Sequence, residues 1–443
     1  MPTFFMDQHG CAKNQVDGEE ISSRLIDADF LAVSSPDEAD AIIVNTCGFI
    51  EDAKKESIGA IVEAKTRWPE KKVIAIGCLS QRYPDELFNN LPEADGVLGN
   101  GDLSIIPEAV TKILSGERIM LVPVQSTAMP SPHYQRKVFF DYPGTAYIKI
   151  TEGCSNYCSY CAIPLIRGEL RSRQIEDVVL EAQNLISKGM YELVLIGQDL
   201  GNYGKDLSGQ CMLLDLMQAL SNIEKDFRIR FLYIHPDHFP SEILQIIAHD
   251  SRFSPYFDLP FQHASAPILK KMNRYGSAIK YLDLISRIRS ELPMSMIRST
   301  FLVGFPGETE DDFAALLDFQ KAANIDWLGV FSYSLEENTP AYSMKDRIPK
   351  SIARKRKAIL EKEQMAITSN RLRRFIGVTD SFIIEEAFCK DDLCFGRGWM
   401  QAPDVDGVTI INTSLKPGIV ARAQIVSVNG VDFNAELEYT ATP

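Results

Sequence analysis

The sequence has no apolar run approaching the length of a membrane span. It also lacks a long internal repeat and any low-complexity tract. Its first residues, Met-Pro-Thr-Phe-Phe-Met-Asp, carry neither the basic start nor the long apolar core of a signal peptide, so a cytoplasmic location is expected. Positive charge is scarce. Lys and Arg total 46 against 60 Asp and Glu, a net charge of −14. That deficit argues against a phosphate backbone as the main partner, unless a local basic patch overrides the total. In the reducing compartment implied here, the nine cysteines are expected to be metal ligands, catalysts or core thiols rather than disulfides. The rest of the composition, 45% hydrophobic and 24% charged, is that of a globular protein. Its 443 residues suffice for about two to four domains.

Three of the cysteines stand together in T-E-G-C-S-N-Y-C-S-Y-C-A-I-P-L-I-R-G: Cys154, Cys158 and Cys161. The spacing is Cys-x3-Cys-x2-Cys. Three thiolates hold three corners of a four-iron cluster and leave the fourth iron open to bind something else. A closed four-cysteine site suits structure or electron transfer; an open one suits chemistry at the exposed iron. Buried core thiols are the plainer reading, but three within eight residues, flanked by Gly153 and Pro164, make a poor fit to it.

The chain divides into three regions. The first, residues 1–125, alternates strand and helix: strands at Thr3–Met6, Ala39–Cys47, Lys72–Cys78 and Ala94–Leu98, helices at Gly18–Ala28 and Asp52–Arg67. The pattern predicts a doubly wound parallel sheet. Ser126 to Gln135, rich in proline and serine, reads as a linker. The second region, 139–348, repeats strand, loop and helix six times, with strands at Ala146–Ile150, Glu192–Ile196, Arg228–Ile234, Tyr256–Leu259, Met296–Val303 and Trp327–Tyr333. A partial (β/α)6 barrel is expected, with functional loops at the carboxyl ends of its strands. A basic helix, Ser351–Arg374, leads to the third region, 376–443, whose short alternating strands predict a small all-β barrel or sandwich.

A second cysteine set is spread through the first region. Cys11, Cys47 and Cys78 each fall at or just past a strand end, 36 and 31 residues apart. In a parallel sheet those ends share one edge, where ligands gather. Glycines beside each cysteine (Gly10, Gly48, Gly77) let backbone approach a bulky group. Spacing alone leaves a second cluster and three strand-end core thiols equally open. Cys211, Cys389 and Cys394 have no matching ligands and read as structural.

The first motif resembles the signature of the radical S-adenosylmethionine (SAM) superfamily, with Tyr160 in the aromatic slot before the third cysteine. Both sets together resemble the methylthiotransferases. Further matching runs are Asp7-Gln-His-Gly-Cys-Ala-Lys13, Asn45-Thr-Cys47, Gly77-Cys78, Ile196-Gly-Gln198, Gln262-His263 and Val303-Gly-Phe-Pro-Gly-Glu-Thr309. The resemblance covers nearly the whole chain. It implies an N-terminal domain with a second cluster, a radical SAM barrel and a small C-terminal domain called TRAM. It implies two 4Fe-4S clusters with Cys11, Cys47, Cys78, Cys154, Cys158 and Cys161 as metal ligands. It implies SAM as both radical source and methyl donor, with sulfur delivered at the second cluster to an unactivated carbon. A flavodoxin or ferredoxin is the electron donor it suggests; the sulfur donor is unknown. Tyr160, Gln198, Arg298 and Gly304 are candidate SAM contacts: Gln198 and Gly304 for their places at strand ends, Arg298 because a guanidinium fork suits a carboxylate. An ion pair inside the barrel is the competing role for Arg298, and a strand-to-helix turn the competing role for the Gly304–Glu308 loop. Arg167, just past the cluster loop, is a candidate to steady that loop electrostatically.

Two branches of the family compete. One, MiaB-like, modifies an adenosine in transfer RNA; the other modifies an aspartate side chain of ribosomal protein S-twelve. Asp258-Leu-Pro-Phe-Gln-His263-Ala-Ser265 and Phe331-Ser-Tyr-Ser-Leu-Glu-Glu-Asn-Thr-Pro340 resemble the protein-modifying branch. Charge agrees. From Ile376 onward ten acidic residues face four basic ones, a difference of −6. An RNA-gripping domain should be basic, whereas an acidic one suits a basic protein partner. The basic helix opposes this and leaves an RNA contact open; a solvated linker helix paired through Glu361 and Glu363 is the favoured account of it.

Overall fold

A computed structural model describes residues 1–131, 133–140 and 142–438, so Pro132 of the expected linker lies outside the described residues. The chain forms two compact units. The first gathers Met1–Phe140, Lys149–Asp177 and Ser334–Tyr342; the second gathers Asp141–Ile148, Val178–Tyr333 and Ser343 onward. The cluster loop therefore groups with the N-terminal sheet and not with the strands that follow it in sequence.

The first unit is built on a six-stranded sheet of β1 (Thr3–Gln8), β2 (Leu31–Ala32), β3 (Ala41–Thr46), β4 (Lys72–Gly77), β5 (Gly96–Leu98) and β6 (Ile119–Leu121), in the order β2-β1-β3-β4-β5-β6. All its pairings are parallel. Side chains alternate between two covered faces. Ile43, Ile74 and Ile76 pack with Ile21 and Leu25 of α1 (Ala12–Asp27) on one side. Ile42, Val44, Val73 and Ala75 pack with Ile61 and Ala64 of α2 (Glu51–Arg67) on the other. Each such fully buried isoleucine contributes roughly 2–3 kcal/mol. This double covering fixes the strand register, because a one-residue slip would turn every side chain to the wrong face. The residues after Gln125 are not a free tether. Tyr134 Oη donates to Asp27 at 2.5 Å and Arg136 is ion-paired with buried Glu19, so this segment is stitched along α1.

The cluster loop begins after β7 (Thr145–Lys149) and is closed by a short ladder, β8 (Thr151–Glu152) on β9 (Arg171–Ser172). In the second unit, β7 is followed across one sheet by β10 (Glu192–Ile196), β11 (Arg228–Phe231), β12 (Phe253–Asp258), β13 (Met296–Val303) and β14 (Trp327–Ser332), neighbours in sequence order. Six strands so ordered are the partial barrel that the rhythm of the sequence predicts. The helix Lys350–Leu372 packs on β14. Here the expectation of a solvated linker fails. Arg356 pairs with Glu308 and Glu310, and Arg371 and Arg374 both reach fully buried Asp326 at 2.8 and 2.7 Å. Lys357 to Glu361 is the intrahelical pair. Arg356 and Arg371 thus anchor the helix inward, while Arg354, Lys355 and Lys362 stay exposed.

The C-terminal region closes into a five-stranded barrel of β15 (Thr379–Phe388), β16 (Leu393–Arg397), β17 (Thr409–Ile411), β18 (Val420–Asn429) and β19 (Asp432–Leu437). It docks on the amino-terminal ends of the larger sheet. Glu192, first in β10, takes Arg230 at 2.8 Å and also Arg397 of the small barrel, all buried. Trp327 donates to the Met400 carbonyl at 3.1 Å. The opposite, carboxyl-terminal edge of the larger sheet is left for chemistry.

Candidate metal centres

The N-terminal cysteines converge through strand register. Thr46 pairs with Gly77, so Cys47 and Cys78, each one residue further on, emerge side by side from β3 and β4. Gln8 pairs with Asn45, which brings the turn after β1 to the same edge. Cys11 then occupies the N-cap of α1, where the helix dipole favours a thiolate. Gly77 turns the chain at φ 106, and a Cβ there would lie 2.6 Å from Asn45 Oδ1. Asn45 in turn donates to Gln8 and to the Asn14 carbonyl, and Ser57 Oγ accepts from Cys47 N at 2.9 Å. Burial pushes the Cys78 thiol up to about 12, although Arg167 pulls it down. Iron binding requires the thiolate, so a cation beside this sulfur matters.

That cation comes from the other motif. Arg167 ends the short helix Ile163–Arg167, directly after Cys161, and its side chain is buried. Nη2 lies 3.0 Å from Cys78 Sγ and 2.8 Å from Asp17 Oδ2; Nη1 lies 2.8 Å from Glu152 Oε1. Lys149 completes the network with ion pairs to Asp17 and, at 2.5 Å, to Glu152. Burial disfavours the Glu152 carboxylate, but Arg167 and Lys149 outweigh it and hold this acid well below the usual carboxylate range. Asn100 Nδ2 adds a weaker contact to Cys78 Sγ at 3.6 Å. Arg167 therefore meets the far cysteine set, not only its own loop.

Cys154, Cys158 and Cys161 lie half-buried on one loop, with no disulfide. Gly153 makes the loop possible. Its φ is 73, and a Cβ there would fall 2.0 Å from the Glu169 carbonyl oxygen. Cys154 N donates to the Gly168 carbonyl at 3.1 Å, and Cys161 N to the Cys158 carbonyl at 3.0 Å. Ile163 N points at Cys161 Sγ at 3.5 Å. The segment Ser334–Tyr342 touches the surroundings of both sets. Glu336 pairs with Arg82 at 2.6 Å and Lys54 at 3.0 Å, while Ala341 N donates to the Ser159 carbonyl.

Donors directed at sulfur, free thiols in threes and glycine-shaped turns fit iron–sulfur clusters. Among the described residues no three His, Cys, Asp or Glu side chains close on a single metal ion. A cluster does not require that, because each thiolate takes a different iron.

The other candidates divide. Tyr160 is half-buried in the loop, and Gln198 lies two residues past β10. Gly304 follows β13 at φ 77, and its N–H is held by the Glu308 carboxylate, which also accepts from Phe305 N at 3.2 Å. Glu308 is thus turned back into the glycine loop; the helix start is capped by Thr309 and Asp312 instead. The Arg298 guanidinium lies 3.1 Å from Asp258 and 3.7 Å from Asp406, the ion pair given above as its competing role. His263 is fully buried, accepting from Ser265 N at 3.0 Å and facing Glu308 at 3.7 Å. Burial and Arg274 drive His235 down to about 3, so it stays neutral. Asp17, Lys149, Glu152 and Asn14 were not singled out by sequence reasoning. A charged lysine ending the fully buried strand Thr145–Lys149 was the available signal.

Three family descriptions match the chain: Uncharacterized protein family UPF0004 over residues 3–99, Radical SAM superfamily over 148–319 and TRAM domain over 376–437. A protein named ribosomal protein uS12 methylthiotransferase RimO, from Treponema denticola, is 45% identical, covering 97% of this chain and 99% of its own. The protein of the same name from Syntrophomonas wolfei is 40% identical, covering 97% and 98%. Among solved structures, the radical SAM methyltransferase TsrM from Kitasatospora setae, with cobalamin and a [4Fe-4S] cluster bound, aligns with a TM-score of 0.57 over 77% of each chain. At 16% identity that likeness bears on the fold alone. No helix among the described residues is long and apolar enough to cross a membrane. With a 45% identical relative covering 97% of this chain and 99% of its own, and the Radical SAM superfamily matched over residues 148–319, the chain belongs to the radical SAM methylthiotransferases, in the RimO branch.

Proposed function

We propose that this enzyme inserts a methylthio group at an unactivated carbon of an aspartate side chain in ribosomal protein uS12. Cys154, Cys158 and Cys161 would hold one 4Fe-4S cluster, and Cys11, Cys47 and Cys78 a second. When bound, these groups supply the electron that splits SAM into methionine and a hydrogen-abstracting 5′-deoxyadenosyl radical, and the sulfur that a second SAM methylates. The observation that carries the reading is the meeting of Cys47 and Cys78 on one sheet edge with Cys11 at the adjacent helix start.

The chain's own residues do the rest. Gly153 and the β8–β9 ladder shape the loop that presents three thiolates and leaves one iron unclaimed. Glu308 pins the Gly304 and Phe305 amides, so the loop after β13 keeps one shape. Within the second unit, Gln198 and Gly304, both just past carboxyl ends of the larger sheet, are the SAM contacts we retain. The small C-terminal barrel supports a protein substrate. Glu385 and Asp406 are spent internally, as is Arg397, yet acids still outnumber bases on its surface. An acidic surface attracts a basic ribosomal protein and repels a phosphate backbone. The inward pairing of Arg356, Arg371 and Arg374 weakens the argument for RNA, although Arg354, Lys355 and Arg373 stay exposed. Such a substrate favours a cytoplasmic enzyme, and the family resemblance favours a flavodoxin or ferredoxin as its reductant.

Mass spectrometry of uS12 and transfer RNA, incubated side by side with reconstituted enzyme, SAM, reductant and sulfide, tests this. A methylthio mass increment on a uS12 aspartate is expected. A modified adenosine with uS12 untouched would overturn the assignment.

A further inference from the structure

Arg167 stands six residues after Cys161, in the motif of one centre, yet its guanidinium touches a ligand candidate of the other. We propose that Arg167 is a positioning residue shared by both centres, which fixes the Cys78 thiolate and sets the reduction potential of the N-terminal cluster. The proposal rests on the two-cluster reading above.

The contacts argue for more than charge neutralisation. Lys149 and Arg167 already balance Asp17 and Glu152, so the buried quartet is neutral without Cys78. The sulfur contact is additional, at 3.0 Å. One rigid plane locates three groups: Glu152 through Nη1, and Asp17 and Cys78 through Nη2. Glu152 lies two residues before Cys154, and Asp17 six residues after Cys11 on the helix that Cys11 caps. The guanidinium thereby ties the approach to one cysteine set to two elements of the other. A lysine could supply the charge but not the fork.

The physical consequence has a definite sign. Reduction adds negative charge to a cluster, and a buried cation donating to one of its sulfurs favours the reduced form. Loss of that cation moves the midpoint potential to a more negative value, and the net negative charge left on Asp17 and Glu152, offset by Lys149 alone, pushes the same way. An ion pair that did not face this cluster would leave its potential where it was.

The test uses the full chain in two backgrounds. With Cys154→Ala, Cys158→Ala and Cys161→Ala, only the N-terminal set can hold iron; with Cys11→Ala, Cys47→Ala and Cys78→Ala, only the loop set can. In the first background Arg167→Gln is expected to shift the midpoint negative and to speed iron loss to a chelator about 10- to 100-fold. Arg167→Lys is expected to restore much of the potential but not the iron retention. In the second background Arg167→Gln is expected to leave the potential unchanged. An unmoved potential in the first background, or equal shifts in both, overturns the proposal. Should Arg167→Gln fail to fold, judged by circular dichroism, Arg167→Lys decides: iron retention equal to that of arginine overturns it. If the first background binds no iron with Arg167 intact, the two-cluster reading fails instead, a separate result.

Discussion

The two cysteine sets that we assign to iron are assembled by opposite routes. Cys154, Cys158 and Cys161 share one loop of eight residues, whose shape is set locally by Gly153 and the β8–β9 ladder. Cys11, Cys47 and Cys78 come from three βα junctions and meet only because β1, β3 and β4 hold their register. The first arrangement is legible as a motif. The second is a property of the fold, and its integrity is that of the sheet. The loop set depends on backbone conformation at a few residues; the N-terminal set depends on a hydrophobic core on both faces of the sheet.

The sharpest way to break the comparison is to delete one set at a time. The chain should take up about eight iron atoms after anaerobic reconstitution. Cys11→Ala, Cys47→Ala and Cys78→Ala together should halve that number, and the matching loop triple should do the same. Iron analysis with protein quantitation checks both. Unchanged iron in the N-terminal triple would remove that set from the account.

A finer probe leaves every cysteine in place. Gly77 at φ 106 and Gly153 at φ 73 both occupy backbone conformations that a side chain strains by about 1–3 kcal/mol, before any clash is counted. Gly77→Ala should lower the melting temperature and deplete iron from the N-terminal set while the loop set keeps its share. Gly153→Ala should deplete the loop set and leave the N-terminal share intact. Iron content and thermal melts of the two variants decide this. Parallel losses in both would mean that the centres are not independently supported.

Much of the fold could be read from the chain because continuous apolar runs such as Ala41–Ile42–Ile43–Val44 have few alternatives to a buried parallel strand. The strands Glu192–Ile196 and Met296–Val303 and the helix Glu310–Ala323 fall where the pattern puts them. The start of α1 did not show. It begins at Ala12 rather than Gly18, because Lys13, Asn14 and Asp17 are polar yet buried against the site, and the capping residue is a cysteine. Three-residue β6 is too short to show a period. The cysteines themselves were legible through spacing and strand ends. Their supporting charges were legible only in part: Arg167 stood out beside its own loop, but Asp17 is remote in sequence from Lys149, Glu152 and Arg167 and meets Lys149 and Arg167 only in the fold. Arg298 had two roles open in the sequence, and the structure shows the ion-pair contacts, to Asp258 and Asp406.

The central claim is a division of labour: the loop set splits SAM without help from the N-terminal set. Chromatographic measurement of 5′-deoxyadenosine and methionine, after reduction of the Cys11→Ala, Cys47→Ala, Cys78→Ala variant with SAM present, tests it most directly. The account predicts that both products form there and vanish when Cys154, Cys158 and Cys161 are replaced by serine. Products that persist in the serine variant, or that are absent when only the N-terminal cysteines are gone, would contradict it.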